Sequence, residues 1–120
     1  MKDFLVLKAD KLAHQVYNIS KSFPHGELFG ITSQLRRSSI SIVLNLIEGF
    51  ARSKNTEYLH YLEIAYGSLK ETKYLLYFSY KENYLKINHY NESLQLSEEI
   101  GKMIWERMKR MRNKMQKKKS

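Results

Sequence analysis

The chain has 120 residues, 42% of them apolar, which is enough for one domain around one core. No apolar run approaches the ~18–20 residues that a membrane span needs. It has no cysteine, so disulfide scaffolds, thiol catalysis and cysteine-bound zinc are excluded. The net charge is +9 and it is concentrated at one end. Glu106 to Ser120 hold eight bases (Arg107, Lys109, Arg110, Arg112, Lys114, Lys117, Lys118 and Lys119) and one acid, while the rest of the chain is nearly balanced. Such a block reads as a contact for nucleic acid or another anionic surface. Its plainer reading is a solubilising helix end that complements the negative pole of the helix dipole. The N-terminus, Met1-Lys2-Asp3-Phe4-Leu5, lacks a signal-like apolar stretch, so a cytoplasmic protein is expected.

Leu5, Ala9, Leu12, Val16, Ile19 and Phe23 alternate spacings of 4 and 3, which predicts a first helix over about 4–23. Phe23-Pro24-His25-Gly26 ends it, because proline disfavours helical geometry in the residue before it and glycine permits a turn.

A second helix is predicted over about 27–50, with Glu27 at its positive pole. Leu28, Ile31, Leu35, Ile42, Leu46 and Gly49 form one stripe, and Ile40, Val43, Leu44 and Ile47 form another on a different side. A helix apolar on several faces is buried on several faces. The second stripe therefore marks the centre of a bundle or an interface between subunits.

Ser53 is a candidate cap for a third helix over about 54–81, with Glu57 in its first turn. Leu59, Leu62, Tyr66, Leu69 and Leu76 line one side, and Ala65, Gly67 and Ser68 permit close helix approach. Tyr74, Tyr77, Phe78, Tyr80 and Tyr84 crowd the far end. Aromatics at this spacing pack cores or interfaces, although exposed ones offer stacking surfaces.

With Asn88 as a candidate cap, a fourth helix is predicted over about 88–115. Its repeat is Tyr90, Leu94, Ser97, Gly101, Ile104, Met108, Met111 and Met115, and the methionines imply an adaptable contact. The basic block surrounds this seam, and residues 116–120 are expected to fray as a basic tail. There is no strand pattern. Four helices with short connections predict an all-α, antiparallel up-down-up-down four-helix bundle.

Four histidines raise the question of a metal or a catalytic site. Glu57-x-x-His60 lies on one helix face, like half of a di-iron motif, but there is no second Glu-x-x-His and the core stripes carry almost no acids. Asp10 and His14 read as an exposed pair. Nucleophile elbows and phosphate-binding glycine loops are absent from the sequence. Neither an enzyme nor a cofactor or metal is expected.

Two stretches carry a resemblance. One is Thr32-Ser33-Gln34-Leu35-Arg36-Arg37, followed by Asn45-Leu46-Ile47-Glu48-Gly49 and Arg52. The other runs from Leu62 to Glu71. With the Phe23-Pro24 turn, they make nearly the whole chain resemble the bacterial 23S rRNA intervening-sequence proteins; the accessory protein of diversity-generating retroelements is a more distant relative. Val43 stands where that family usually has proline, so the second helix is expected to run straighter here. The resemblance implies a homopentamer with a basic surface suited to nucleic acid. Genes of this type are often found inside intervening sequences of 23S rRNA genes.

The expected function is therefore that of a homo-oligomer binding RNA or DNA mainly through backbone phosphates. The basic block would carry the contacts, and Ile40, Val43, Leu44 and Ile47 would form the interface between copies. Arg36, Arg37 and Arg52 suit either phosphate or an internal ion pair, whereas Asn45 and Glu48 read as structural. The alternative is a scaffold that docks a protein partner through the methionine seam of the fourth helix. A membrane-surface role is not expected.

Overall fold

The computed structural model describes residues 3–119, with side-chain surroundings for residues 3–117. Four α-helices account for most of it: α1 (Phe4–Ile19), α2 (Ser33–Phe50), α3 (Asn55–Lys81) and α4 (Ile87–Lys119). No strand occurs among the described residues. Cross-helix pairs set the direction of each helix. Lys8 with Glu99 and Gln15 with Glu92 run α1 against α4. Arg37 with Glu71 and Ser41 with Ser68 run α2 against α3. Tyr66 with Trp105 and Tyr80 with Tyr90 run α3 against α4. Arg36 reaches back to Ser20 at the end of α1, which makes α1 and α2 antiparallel. The result is an up-down-up-down bundle 54 Å long and about 22 Å across. At 1.5 Å per residue, the 33 residues of α4 span nearly that whole length.

The core follows the stripes closely. Leu5, Leu12, Leu35, Leu46, Leu62, Leu69 and Leu76 are fully buried, and each stabilises the fold by about 1.5–3 kcal/mol relative to exposure. Small side chains bring the helices together. Ser38, Thr72 and Ser97 are buried, and their hydroxyls bond to backbone carbonyls of their own helices or, in the Thr72–Ser38 pair, across α2 and α3. At Gly101 an added Cβ would lie 3.0 Å from Leu69, so α4 approaches α3 closely there.

Several ends differ from the sequence expectation. The first helix leaves α geometry at Ile19 and passes through a 3₁₀ turn, Ser20–Ser22, to an extended Phe23 before Pro24. The second does not begin at Glu27. A 3₁₀ turn (His25–Glu27) and a π turn (Leu28–Thr32) precede α2, with a break of non-helical dihedrals at Gly30 inside the π turn. Beyond that break α2 runs uninterrupted through Val43. Ser53 does not cap α3; Lys54 occupies that position without a side-chain bond. Asn88 lies inside α4, and helical hydrogen bonding already starts from the Lys86 carbonyl.

The C-terminal end of α3 is closed by Asn83 at φ 63°, a left-handed position that asparagine tolerates well. Tyr84 N–H bonds to Ser79 O and Asn83 N–H to Tyr80 O, the paired bonds of a Schellman cap.

The buried seam of α4 also differs in its first half. It runs through Ser93, Leu96, Ser97, Ile100, Ile104, Met108 and Met111, leaving Leu94 and Gly101 half-buried. A strict heptad repeat drifts about 20° per heptad on a straight helix, so a 3.5-residue seam cannot stay on one side over this length. Helix α4 continues to Lys119 rather than fraying from Gln116. The side chains of Lys118 and Lys119 lie outside the described residues, as does residue 120.

Candidate nucleic-acid interface

The starts of α1 and α3 and the ends of α2 and α4 meet at one pole of the bundle. Asp3 caps α1 by accepting from Leu5 N at 2.9 Å and Val6 N at 3.2 Å. The same carboxylate takes the Arg107 guanidinium, with Nη2 3.2 Å from both oxygens. Arg107 also lies 5.2 Å from the Phe50 ring centre and is only 18% exposed. Its first task is therefore to fasten α4 to the start of α1. Beside it is a cleft of about 290 Å³, walled by Tyr58, Arg110, Met111 and Lys114.

The basic block thus divides. Arg107 is held by Asp3, and Arg112 donates to Glu63 at 3.1 Å. Lys109, Arg110 and Lys114 are exposed, and none of them makes an ion pair or hydrogen bond among the described residues. Lys117 is exposed further along α4.

The other candidate arginines are all engaged within the chain. Arg36 donates Nε to Ser20 Oγ at 2.8 Å and lies 4.3 Å from the Tyr17 ring centre, stapling α2 to the end of α1. Arg37 pairs with Glu71 across α2 and α3. Arg52 pairs with Glu48 and donates to Tyr61 at 3.1 Å. Asn45 bonds to the Ser41 carbonyl within α2. All of these side chains have partners within the chain, through ion pairs for Arg37 and Arg52 and through hydroxyl, carbonyl or ring contacts for Arg36 and Asn45.

Of the expected interface residues, Ile40, Leu44 and Ile47 stand exposed on the outer side of α2, Leu44 at 59%. Val43 belongs to the core. Phe29, in the π turn, is 94% exposed, and the sequence reading passed it over. Of the methionine seam, Met108 and Met111 are packed into the bundle and Met115 is half-buried. A partner that reached Met108 and Met111 would have to open the fold.

A second basic feature was not anticipated. Tyr66, Lys70, Lys73 and Tyr77 follow one another along α3 at spacings of 4, 3 and 4, on the side that faces α4. Opposite them α4 presents Lys102, Trp105, Lys109 and Arg112. Tyr66 and Trp105 meet with ring centres 5.7 Å apart, over a groove of about 320 Å³. The spacing is visible in the sequence, where aromatics of this pattern suit a core, an interface or, when exposed, a stacking surface. Lys73 bonds to Glu98 at 2.6 Å, and this hydrogen bond holds the Glu98 carboxyl below the usual carboxylate range.

A concavity of about 800 Å³ lies at the opposite pole between Asn18, Tyr84 and His89. Among the described residues no group of three His, Asp or Glu side chains is arranged to hold a metal, and His14 simply faces Asp10 at 3.4 Å. None of the described helices is long and apolar enough to cross a membrane.

Fold and surface together define an all-α four-helix bundle with cations gathered along one helix. The profile of the 23S rRNA-intervening sequence protein family matches residues 4–106, and the chain belongs to that family. In structure it is similar to a protein of unknown function from the S23 ribosomal protein family of Bacteroides thetaiotaomicron VPI-5482. The TM-score is 0.82 at 24% identity, covering 88% of this chain and 98% of that one, a likeness of fold. No curated protein matches the chain in sequence.

Proposed function

We propose that this chain is a non-enzymatic, homo-oligomeric nucleic-acid-binding protein, associated through its family with 23S rRNA intervening sequences. The observation that carries the reading is the set of outward cations Lys109, Arg110 and Lys114, which have no partner among the described residues and sit on a helix whose Arg107 and Arg112 are tied to carboxylates. Unpaired cations on a rigid helix suit phosphate oxygens, and no base-reading module is evident. RNA and DNA are both within reach of such contacts. The protein would act in the cytoplasm of a bacterium.

Oligomerisation is supported by apolar surface that a lone bundle leaves in water. Ile40, Leu44 and Ile47 line the outer side of α2. For Gly67, exposed on the neighbouring outer face of α3, an added Cβ would meet nothing within 4 Å beyond its chain neighbours and its own helix backbone. A glycine inside a helix costs about 1 kcal/mol relative to alanine, so an exposed one without an internal role suits close approach by a second copy. Family resemblance favours five subunits in a ring.

The test is fluorescence anisotropy of nuclease-treated, full-length protein against duplex DNA, single-stranded DNA and structured RNA at several salt concentrations. Charge replacement is the right control, because truncation at Trp105 would remove the buried Met108 and Met111. Binding that weakens steeply with salt and falls on replacing the three cations supports the reading. Absence of binding to all three probes at low salt refutes it.

A further inference from the structure

The groove between α3 and α4 combines features that phosphate binding alone does not call for. Trp105, the only tryptophan, is 48% exposed although it sits beside an apolar core. It leans on Tyr66 at 5.7 Å with the rings inclined by 44°, so the pair forms an open aromatic step rather than a closed stack. Gly101, one turn earlier on α4, contributes no side chain to the groove. Cations surround the step. Lys70 Nζ is 5.1 Å from the Tyr66 ring centre and Arg112 Cζ is 6.0 Å from that of Trp105. Lys102 borders the groove without a partner among the described residues. The carboxylates nearby, Glu98 and Glu63, are both committed, to Lys73 and Arg112. Lys109 lies one turn beyond Trp105 on the same side of α4, so the groove runs into the outward cations of the terminal turns.

We infer that this groove is a stacking site for unpaired bases, and that the protein prefers single-stranded nucleic acid to duplex. The inference deepens the proposed function and rests on it. In a duplex each base face is covered by its neighbours and only the edges are presented, so an aromatic step gains nothing. In a single strand an unstacked base covers the indole while Lys70, Lys102 and Lys109 take the flanking phosphates. Such sites tolerate any sequence, because every base has a π face.

The test uses the full-length protein, a 12-nucleotide oligouridylate and a 12-base-pair duplex. The intrinsic emission of Trp105 should be quenched on titration with the single strand and not with the duplex. Trp105→Ala should weaken single-strand binding about tenfold, within the roughly 5- to 150-fold that base–aromatic stacking spans, and leave duplex affinity unchanged. Trp105→Phe, which keeps an aromatic face, should restore part of the loss. Lys70→Gln with Lys102→Gln should lower the salt slope for the single strand while the Trp105 quench persists.

Three results overturn the inference and leave phosphate binding standing: equal losses on both probes, binding without a change in Trp105 emission, or a fall in oligomer mass for Trp105→Ala. The last would assign Trp105 to a contact between copies. Failure of both probes to bind would overturn the nucleic-acid reading itself, and this inference with it.

Discussion

Replacing Lys109, Arg110 and Lys114 together by glutamine removes three positive charges that pair with nothing among the described residues. If each neutralises one phosphate, the slope of log affinity against log salt should become shallower by about 2.7 on duplex DNA and about 2.1 on a single strand. Between 50 and 200 mM salt, the wild type should then lose about 40-fold more duplex affinity than the variant does. Folding stability should stay within about 0.5 kcal/mol, as for surface positions without partners. Arg107→Gln is the contrasting variant. It strips the partner from a carboxylate that also caps α1, so it should lower the melting temperature while changing the slope by less than one. Anisotropy over a salt series, with thermal unfolding on the same samples, reads both quantities. An unchanged slope in the triple variant, or equal slope losses in the two, would refute the division of this helix into fastening and binding cations.

Leu44→Asp puts a charge on an outward position of the isolated bundle. It should leave the helical signal intact and lower the mass by light scattering; an unchanged mass removes the α2 stripe from the interface. Asn83→Val places a β-branched residue at φ 63° and should destabilise by about 1–2 kcal/mol, whereas Asn83→Gly should be neutral or better. Equal stabilities in chemical denaturation would contradict the cap described for α3. Thr32 carries a buried hydroxyl without a hydrogen-bond partner among the described residues, so Thr32→Val should stabilise by about 1 kcal/mol; a loss instead would reveal a partner for that hydroxyl. Glu98 is held below its ordinary pKa by Lys73, so their pair contributes above the unfolded carboxyl's range and is lost as pH falls through the lowered value. The melting temperature should therefore decline more steeply in acid for the wild type than for Glu98→Gln, and matching pH profiles would dismiss the pair.

The helix number, their order and most of the core were legible because apolar spacing of 3 and 4 is a direct projection of the helical period. Leu5, Ala9, Leu12 and Val16 all lie where that period puts them. Helix ends were less legible, since they depend on short-range backbone chemistry with several near-equal solutions. Ser53 and Asn88 both have the right side chain for a cap, yet the helices begin one residue after Ser53's neighbour and one residue before Asn88 itself. The break at Gly30 left no trace in the apolar pattern, because Leu28 and Ile31 keep helical spacing across it.

The functional surface was only half legible, and residue type explains why. Charge along the sequence gives the number of cations but not their partners. Asp3 and Glu63 lie 104 and 49 positions away from the arginines they hold. Arginine's planar, delocalised head suits carboxylates and aromatic faces at once, whereas lysine is a compact, strongly hydrated point charge. The chain follows that difference. Arg36, Arg37, Arg52, Arg107 and Arg112 are each engaged by an acid, a carbonyl or hydroxyl, or a ring. Arg110 is the exception, on the outward side with Lys102, Lys109 and Lys114. A basic block that alternates the two types is thus two overlapping structures, one turned inward to fix α4 and one turned outward. Exchanging arginine for lysine at 107 would preserve the net charge of +9 yet weaken the first of them, whereas the same exchange at 110 would leave both in place.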